Sequence, residues 1–142
     1  YTVWSEVLGR IGSVLGLFWE EPAAVRDQLD ALVRELTRDQ VARLGFDFPA
    51  GEPDKLQLLR PLVISMAGRA GNQQVVDEAR RRFDRLLGGD ATAVHPNLRS
   101  TVYSIAIRNG GRAEYDRLLE FYRRTTVPDQ KLAALGALGL SP

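Results

Sequence analysis

Apolar residues recur at three- and four-residue steps through almost every segment of this 142-residue chain, and glycine or proline interrupts them at intervals. That spacing lays an apolar stripe along one face of an α-helix, and such a stripe can leave water only against another helix. Near the start, Trp4, Leu8, Ile11, Leu15 and Phe18 form one stripe within the apolar stretch from Val3 to Trp19. Val7 and Val14 widen it, so a broad buried face is expected. Gly9, Gly12 and Gly16 fall in one narrow arc beside that face. Each costs about 1 kcal/mol of helix propensity against alanine, so a close neighbouring backbone is expected to justify them.

The pattern continues to the end of the chain. Pro22 suits the first turn of a second helix, whose stripe is Val25, Leu29, Leu32, Val33 and Leu36 and whose stop signal is Gly45. Residues 46–53 contain two prolines and a glycine and read as a loop. A third helix from about Asp54 buries Leu56, Leu59, Val63, Met66, Ala67 and Ala70 and ends near Gly71. Pro61 should either kink it or mark its first turn. The fourth runs from about Asn72, carries Val75, Val76, Ala79, Phe83, Leu86 and Leu87 inward, and breaks at Gly88-Gly89-Asp90. Pro96 opens a fifth, with Leu98, Val102 and Ile105 inward. Across Gly110-Gly111 a sixth uses Tyr115, Leu118, Leu119 and Tyr122, and so short a connection makes the two antiparallel neighbours. Thr126-Val127-Pro128-Asp129 starts a seventh, which stops at Leu140-Ser141-Pro142.

Paired helix starts near Asp54, Pro96 and Pro128 are spaced by roughly 30 to 40 residues, which suits HEAT-like helical repeats. The expected fold is therefore all-α: a stack of about seven helices forming a fragment of an α-solenoid. A hydrophobic fraction of 44% lets residues 1–142 bury the core of a single domain. An odd helix at the end should leave an apolar face that a further helix would cover, and that favours self-association when exposed.

Several function classes lose support. Nineteen basic residues against eighteen acidic give a net charge of +1, too little to draw in nucleic acid or an anionic membrane. In the run Arg80-Arg81-Arg82 with Arg85, the carboxylates of Asp77, Glu78 and Asp84 dilute the field, so a solvated helix face is the expected reading. The Val3 to Trp19 stretch contains Glu6 and Arg10 and is too short to span a bilayer. It also lacks the basic start and cleavage site of a signal peptide. The chain opens at Tyr1 rather than Met, as an excised piece of a larger protein would. With no cysteine, disulfides and thiolate metal sites are excluded; this fits the cytosol but leaves the compartment open.

Catalytic chemistry has little to draw on. A zinc hydrolase needs three protein ligands and an open position, and the chain has one histidine. That residue, His95, precedes Pro96 at a helix entrance with no serine or cysteine in a recognisable triad, so a structural role is expected. Gly88-Gly89 and Gly110-Gly111 follow no strand and read as helix stops rather than phosphate loops. Tyr103, Tyr115, Phe121 and Tyr122 could line a peptide strip, although helical spacing favours core packing for Tyr115 and Tyr122. Arg99, Arg108 and Arg112 are the candidate contacts to a peptide or to another domain, because a guanidinium pairs with a carboxylate through two donors. The alternative is surface pairing with Glu114 or Asp116.

The stretch Leu98-Arg99-Ser100-Thr101-Val102-Tyr103 followed by Asn109-Gly110-Gly111-Arg112-Ala113-Glu114-Tyr115-Asp116-Arg117-Leu118-Leu119 resembles the C-terminal helical domain of the zinc-dependent M1 aminopeptidases. Val3-Trp4, Leu44-Gly45-Phe46, Asp54, Leu59-Arg60, Glu78-Ala79 and Arg82-Phe83 keep the family's order, so the resemblance covers nearly the whole chain. It implies an early and middle part of a longer C-terminal domain that folds as a bowl over the catalytic domain of the same parent. There it would enclose the peptide substrate's cavity and gate it by opening and closing. The family's His-Glu-x-x-His and Gly-x-Met-Glu-Asn motifs are absent here, so the resemblance places catalysis and zinc in the parent's catalytic domain and no cofactor in this chain. The competing expectation is a free-standing HEAT- or TPR-like scaffold that binds a partner protein.

Overall fold

The computed structural model describes residues 2–18 and 22–140. Trp19, where the first apolar stretch was expected to end, and Ser141-Pro142, the expected final stop, lie outside them. The described residues form seven α-helices, one 3-10 turn and no strand. The all-α expectation holds, helix for helix.

The chain divides into two compact units, residues 1–72 and 73–142. The first holds α1 (Thr2–Leu17), α2 (Ala23–Leu44) and α3 (Asp54–Arg69). Helix α3 packs on both others, most extensively on α2. Leu8, Leu44, Leu59 and Val63 make the core, flanked by Trp4, Val41, Leu56 and Met66. Pro61 lies inside α3, whose first residue is Asp54. Gly45 takes the left-handed conformation, φ 55°, and its N–H closes α2 on the Val41 carbonyl at 3.0 Å. Glycine reaches that conformation without the steric cost a side chain would add.

Three expectations about this unit fail. Of the broad α1 stripe only Leu8 is buried; Trp4, Ile11 and Leu15 are half-buried, and Val7, Val14 and Phe18 are exposed. Among the described residues no backbone approaches Gly9, Gly12 or Gly16: a Cβ added at any of them would meet nothing within 4 Å. In α2 the inward residues are Val33, Thr37 and Leu44, whereas Leu32 and Leu36 face solvent. The true stripe lies one position along because Thr37 can be buried. Its hydroxyl donates to the Val33 carbonyl at 2.7 Å within the helix itself.

A buried ion pair joins the loop of residues 45–53 to α3. Arg60, 1% exposed, donates both terminal nitrogens to Glu52, at 2.6 and 2.5 Å, and its Nε to the Leu44 carbonyl at 3.0 Å. The guanidinium also lies 4.2 Å from the centre of the Phe48 ring. With these partners it is satisfied on every edge, which is the condition for burying an arginine.

The second unit holds α4 (Gln73–Leu87), a 3-10 turn (Pro96–Leu98), α5 (Arg99–Asn109), α6 (Arg112–Arg124) and α7 (Pro128–Leu138). Helix α5 packs chiefly on α4 and α7, and α7 covers α6 as well. So α7 contacts both members of the hairpin more extensively than they contact one another. His95 caps the 3-10 turn, its Nδ1 accepting from the Asn97 N–H at 3.3 Å, in keeping with its structural reading.

Candidate functional site

The α5–α6 hairpin carries all three arginines singled out from the sequence. Its turn is built on a close approach. A Cβ on Gly110 would lie 2.5 Å from the Ala106 carbonyl oxygen and 2.8 Å from Glu114 Cγ, so only glycine fits there. Gly111 has no such contact. Its N–H instead donates to Glu114 Oε2 at 2.8 Å, capping α6. That bond, with further ones from the Glu114 amide and Arg80, holds the Glu114 carboxyl below the usual carboxylate range.

The three arginines do not converge. Arg108 and Arg112 flank the Gly110-Gly111 turn, both exposed. Arg99 starts α5, nine residues before Arg108, about 14 Å along the helix axis. Arg112 pairs with Asp116 at 2.9 Å and lies 5.8 Å from the Tyr115 ring, which is the surface pairing weighed from the sequence. The Asp116 carboxylate holds the Arg112 guanidinium above its ordinary value.

Of the four aromatic residues weighed for a peptide strip, Tyr103 is the buried one, 0% exposed and packed edge-on against Phe83 at 6.0 Å and Phe121 at 6.1 Å. Tyr115 and Tyr122, expected in the core, are half-buried. Tyr115 lines an open groove of about 580 Å³ with Ile107, Leu119 and Leu138 at the glycine turn. Lys131 lies 5.7 Å from the centre of the Tyr122 ring. Helix α7, which packs on both α5 and α6, instead buries the small side chains of Ala134 and Ala137.

The arginine run on α4 meets carboxylates throughout. Arg80 pairs with Glu114 at 3.0 Å, Arg81 with Glu78, and Arg85 with Asp90 at 2.6 Å. Arg82 pairs with Glu78 at 2.6 Å and also donates to the Ala93 carbonyl at 3.2 Å. It therefore ties α4 to the following loop rather than facing water.

A family model described as the ERAP1-like C-terminal domain matches residues 1–142. The chain belongs to that family. Aminopeptidase 2 of Candida albicans is 30% identical over 98% of this chain and 15% of its own length. Puromycin-sensitive aminopeptidase of Caenorhabditis elegans is 27% identical over 100% of this chain and 15% of its own. Aminopeptidase M1-C of Oryza sativa is 26% identical over 97% and 16% respectively. The chain thus spans about 15% of the length of the curated relatives it matches.

Among the described residues no three histidine, cysteine, aspartate or glutamate side chains gather as a metal site would require. No described helix is long and apolar enough to cross a membrane. Tyr103 entered the sequence reading only as one ring of an aromatic strip, not as a buried polar group. Its hydroxyl is buried without a hydrogen-bond partner, and so is the Nε of Arg99 one turn earlier. The i to i+4 spacing within Leu98-Arg99-Ser100-Thr101-Val102-Tyr103 already placed the two on one helix face.

Proposed function

We propose that this chain is a non-catalytic helical part of a zinc aminopeptidase. In this reading it lies over the catalytic domain of the same parent and helps enclose and gate the peptide-substrate cavity. One observation carries the reading: relatives named as aminopeptidases align with the chain over nearly all its residues, while it accounts for only about 15% of theirs. Zinc and hydrolysis then belong to the parent's catalytic domain. Residues 1–142 serve as a single helical-repeat domain within a longer C-terminal domain, a reading favoured by the family match across both compact units. Stacked helices suit such a wall because they supply extended surface without chemistry of their own.

Arg99, Arg108 and Arg112 are its contacts with peptide or with the catalytic domain. Since Arg99 lies at one end of α5 and the others at the opposite end, they serve two separate contacts. Leu132 and Leu135 on α7 are 72% and 53% exposed, which favours a further helix over this face in the parent and self-association when it is bare.

Spin labels on exposed positions of α6 and on the parent's catalytic domain test the gating. Electron-paramagnetic distance measurements should give two separations whose proportions change when a transition-state analogue binds. A single distance, unmoved by the analogue, would remove gating from the account.

A further inference from the structure

Among the described residues, the second unit pairs most of its arginines with carboxylates; exposed Arg123 and half-buried Arg99 are left out, and Arg99 is the one that is partly enclosed. On α4 and α6, Arg80, Arg81, Arg82, Arg85, Arg112, Arg117 and Arg124 each meet a carboxylate. Arg99 pairs with none of the described carboxylates. Its side chain is half-buried, and its Nε is enclosed without an acceptor. One turn along the same face, the Tyr103 hydroxyl is enclosed without a partner too. Leaving a buried donor unsatisfied costs about 1 to 3 kcal/mol, and more when it is charged. Two such donors side by side, one of them cationic, are jointly satisfied by one anionic acceptor.

The surroundings narrow the acceptor's chemistry. Phe83 and Phe121 pack on the Tyr103 ring, so the pair sits against apolar surface where a charge-assisted hydrogen bond is strengthened. Arg99 brings a single positive charge, which balances a carboxylate and leaves a phosphate dianion half-neutralised. A guanidinium edge and a planar carboxylate also match in two parallel bonds. Burial already pushes the Tyr103 phenol up, opposed by the Arg99 charge, so the hydroxyl stays protonated and able to donate.

We propose that Arg99 and Tyr103 form a carboxylate-binding subsite, in which the guanidinium takes the carboxylate edge-on and the phenol hydroxyl donates to one of its oxygens. The Arg99 side chain is the movable wall: its rotation outward admits the carboxylate to the hydroxyl. The source is either the free C-terminus of a peptide or an acidic side chain, and only that choice rests on the cavity-wall reading above.

The test is made on the 142-residue chain labelled with 15N-arginine, following the Nε–H resonances by NMR. Arg99→Lys identifies the Arg99 signal by its loss. Three peptides of equal length are titrated: one with a free C-terminal carboxylate and no acidic side chain, one with blocked ends and a single internal glutamate, and one neutral throughout. Saturable movement of the Arg99 signal by at least one charged peptide and not by the neutral one is expected. The peptide that moves it names the source.

Tyr103→Phe keeps the ring and removes only the hydroxyl, and it should weaken that binding about tenfold. No saturable movement with either charged peptide would overturn the proposal. So would unchanged affinity in Tyr103→Phe, since the hydroxyl would then be a structural orphan or hold only water. Failure here leaves the spin-label distances of the gating experiment untouched, so the two readings fall separately.

Discussion

The two units are similar in length but differ in how completely they enclose themselves. Among the described residues, the second unit buries roughly twice as many apolar side chains as the first and leaves exposed large apolar residues only on and just before α7. In the first unit all three helices show apolar residues to solvent: Val3, Val7, Val14 and Leu17 on α1, Leu32 and Leu36 on α2, Leu58 and Leu62 on α3. The second is held by an aromatic and aliphatic centre with ion pairs outside it. The first is held by a narrower apolar seam and one buried ion pair, Arg60 with Glu52. A helix stack can share its core with neighbours, so one of its parts need not be closed by itself.

The sharpest way to break this contrast is to truncate each unit's large side chains. Phe83→Ala should cost about 4 kcal/mol in a urea melt, the usual loss for a fully buried aromatic. Leu17→Ala, at 82% exposure, should stay within about 0.5 kcal/mol. Equal losses would mean that α1 is buried after all.

Next comes the polar clamp of the first unit. Arg60→Ala should cost about 3 kcal/mol, because it strands buried acceptors that the guanidinium satisfied. Replacing both Arg60 and Glu52 by apolar residues of similar size should recover most of that loss in the same melt. A double variant as unstable as the single one would show that the clamp does more than satisfy itself.

A smaller effect separates two adjacent glycines. Gly110→Ala should lose about 2 kcal/mol through overpacking against the Ala106 carbonyl and Glu114, whereas Gly111→Ala should change stability by no more than about 0.5 kcal/mol. Similar melts for the two variants would mean that the turn relaxes.

The smallest effect is a pH dependence of opposite sign at two aspartates, Asp90 in the second unit and Asp30 in the first. In the second, bonds from Thr92 and Arg85 hold Asp90 low, as those on Glu114 do. Their stabilisation is full above the ordinary carboxylate values and is lost as the pH falls through the lowered ones. In the first, burial raises Asp30 although Arg34 and Arg69 oppose it, so its charge weighs against folding at neutral pH. Asp30→Asn should therefore be slightly more stable at pH 7, with the difference vanishing below the ordinary aspartate value of 3.8. A less stable variant at pH 7 would mean that the arginines outweigh burial.

The helices themselves could be read from the sequence, because periodicity and Gly/Pro punctuation are local signals. Val75, Val76, Ala79, Phe83 and Leu86 turned inward as their spacing implied. What escaped depends on neighbours. Leu32 and Leu36 look like core by hydropathy, but Thr37 occupies that place by bonding its own backbone. The α1 stripe has the composition of a buried face, yet within its own unit α3 and α2 bury only Leu8 of it. Arg60 and Glu52 are eight residues apart across a loop, and no helical spacing relates them. Of the candidate site, Arg112's pairing with Asp116 was visible at i to i+4. The isolation of Arg99 was not, since it is a property of the elements packed around it.

The claim that matters most is that this chain is part of a longer zinc aminopeptidase and leaves the chemistry to the rest of it. The coding sequence upstream of Tyr1 tests this directly. It should contain His-Glu-x-x-His with a second glutamate about one helix further on, the ligand set that zinc hydrolysis requires. A start codon close to Tyr1, or an unrelated upstream domain, would contradict the account and leave a helical-repeat scaffold whose partner has to be sought by itself.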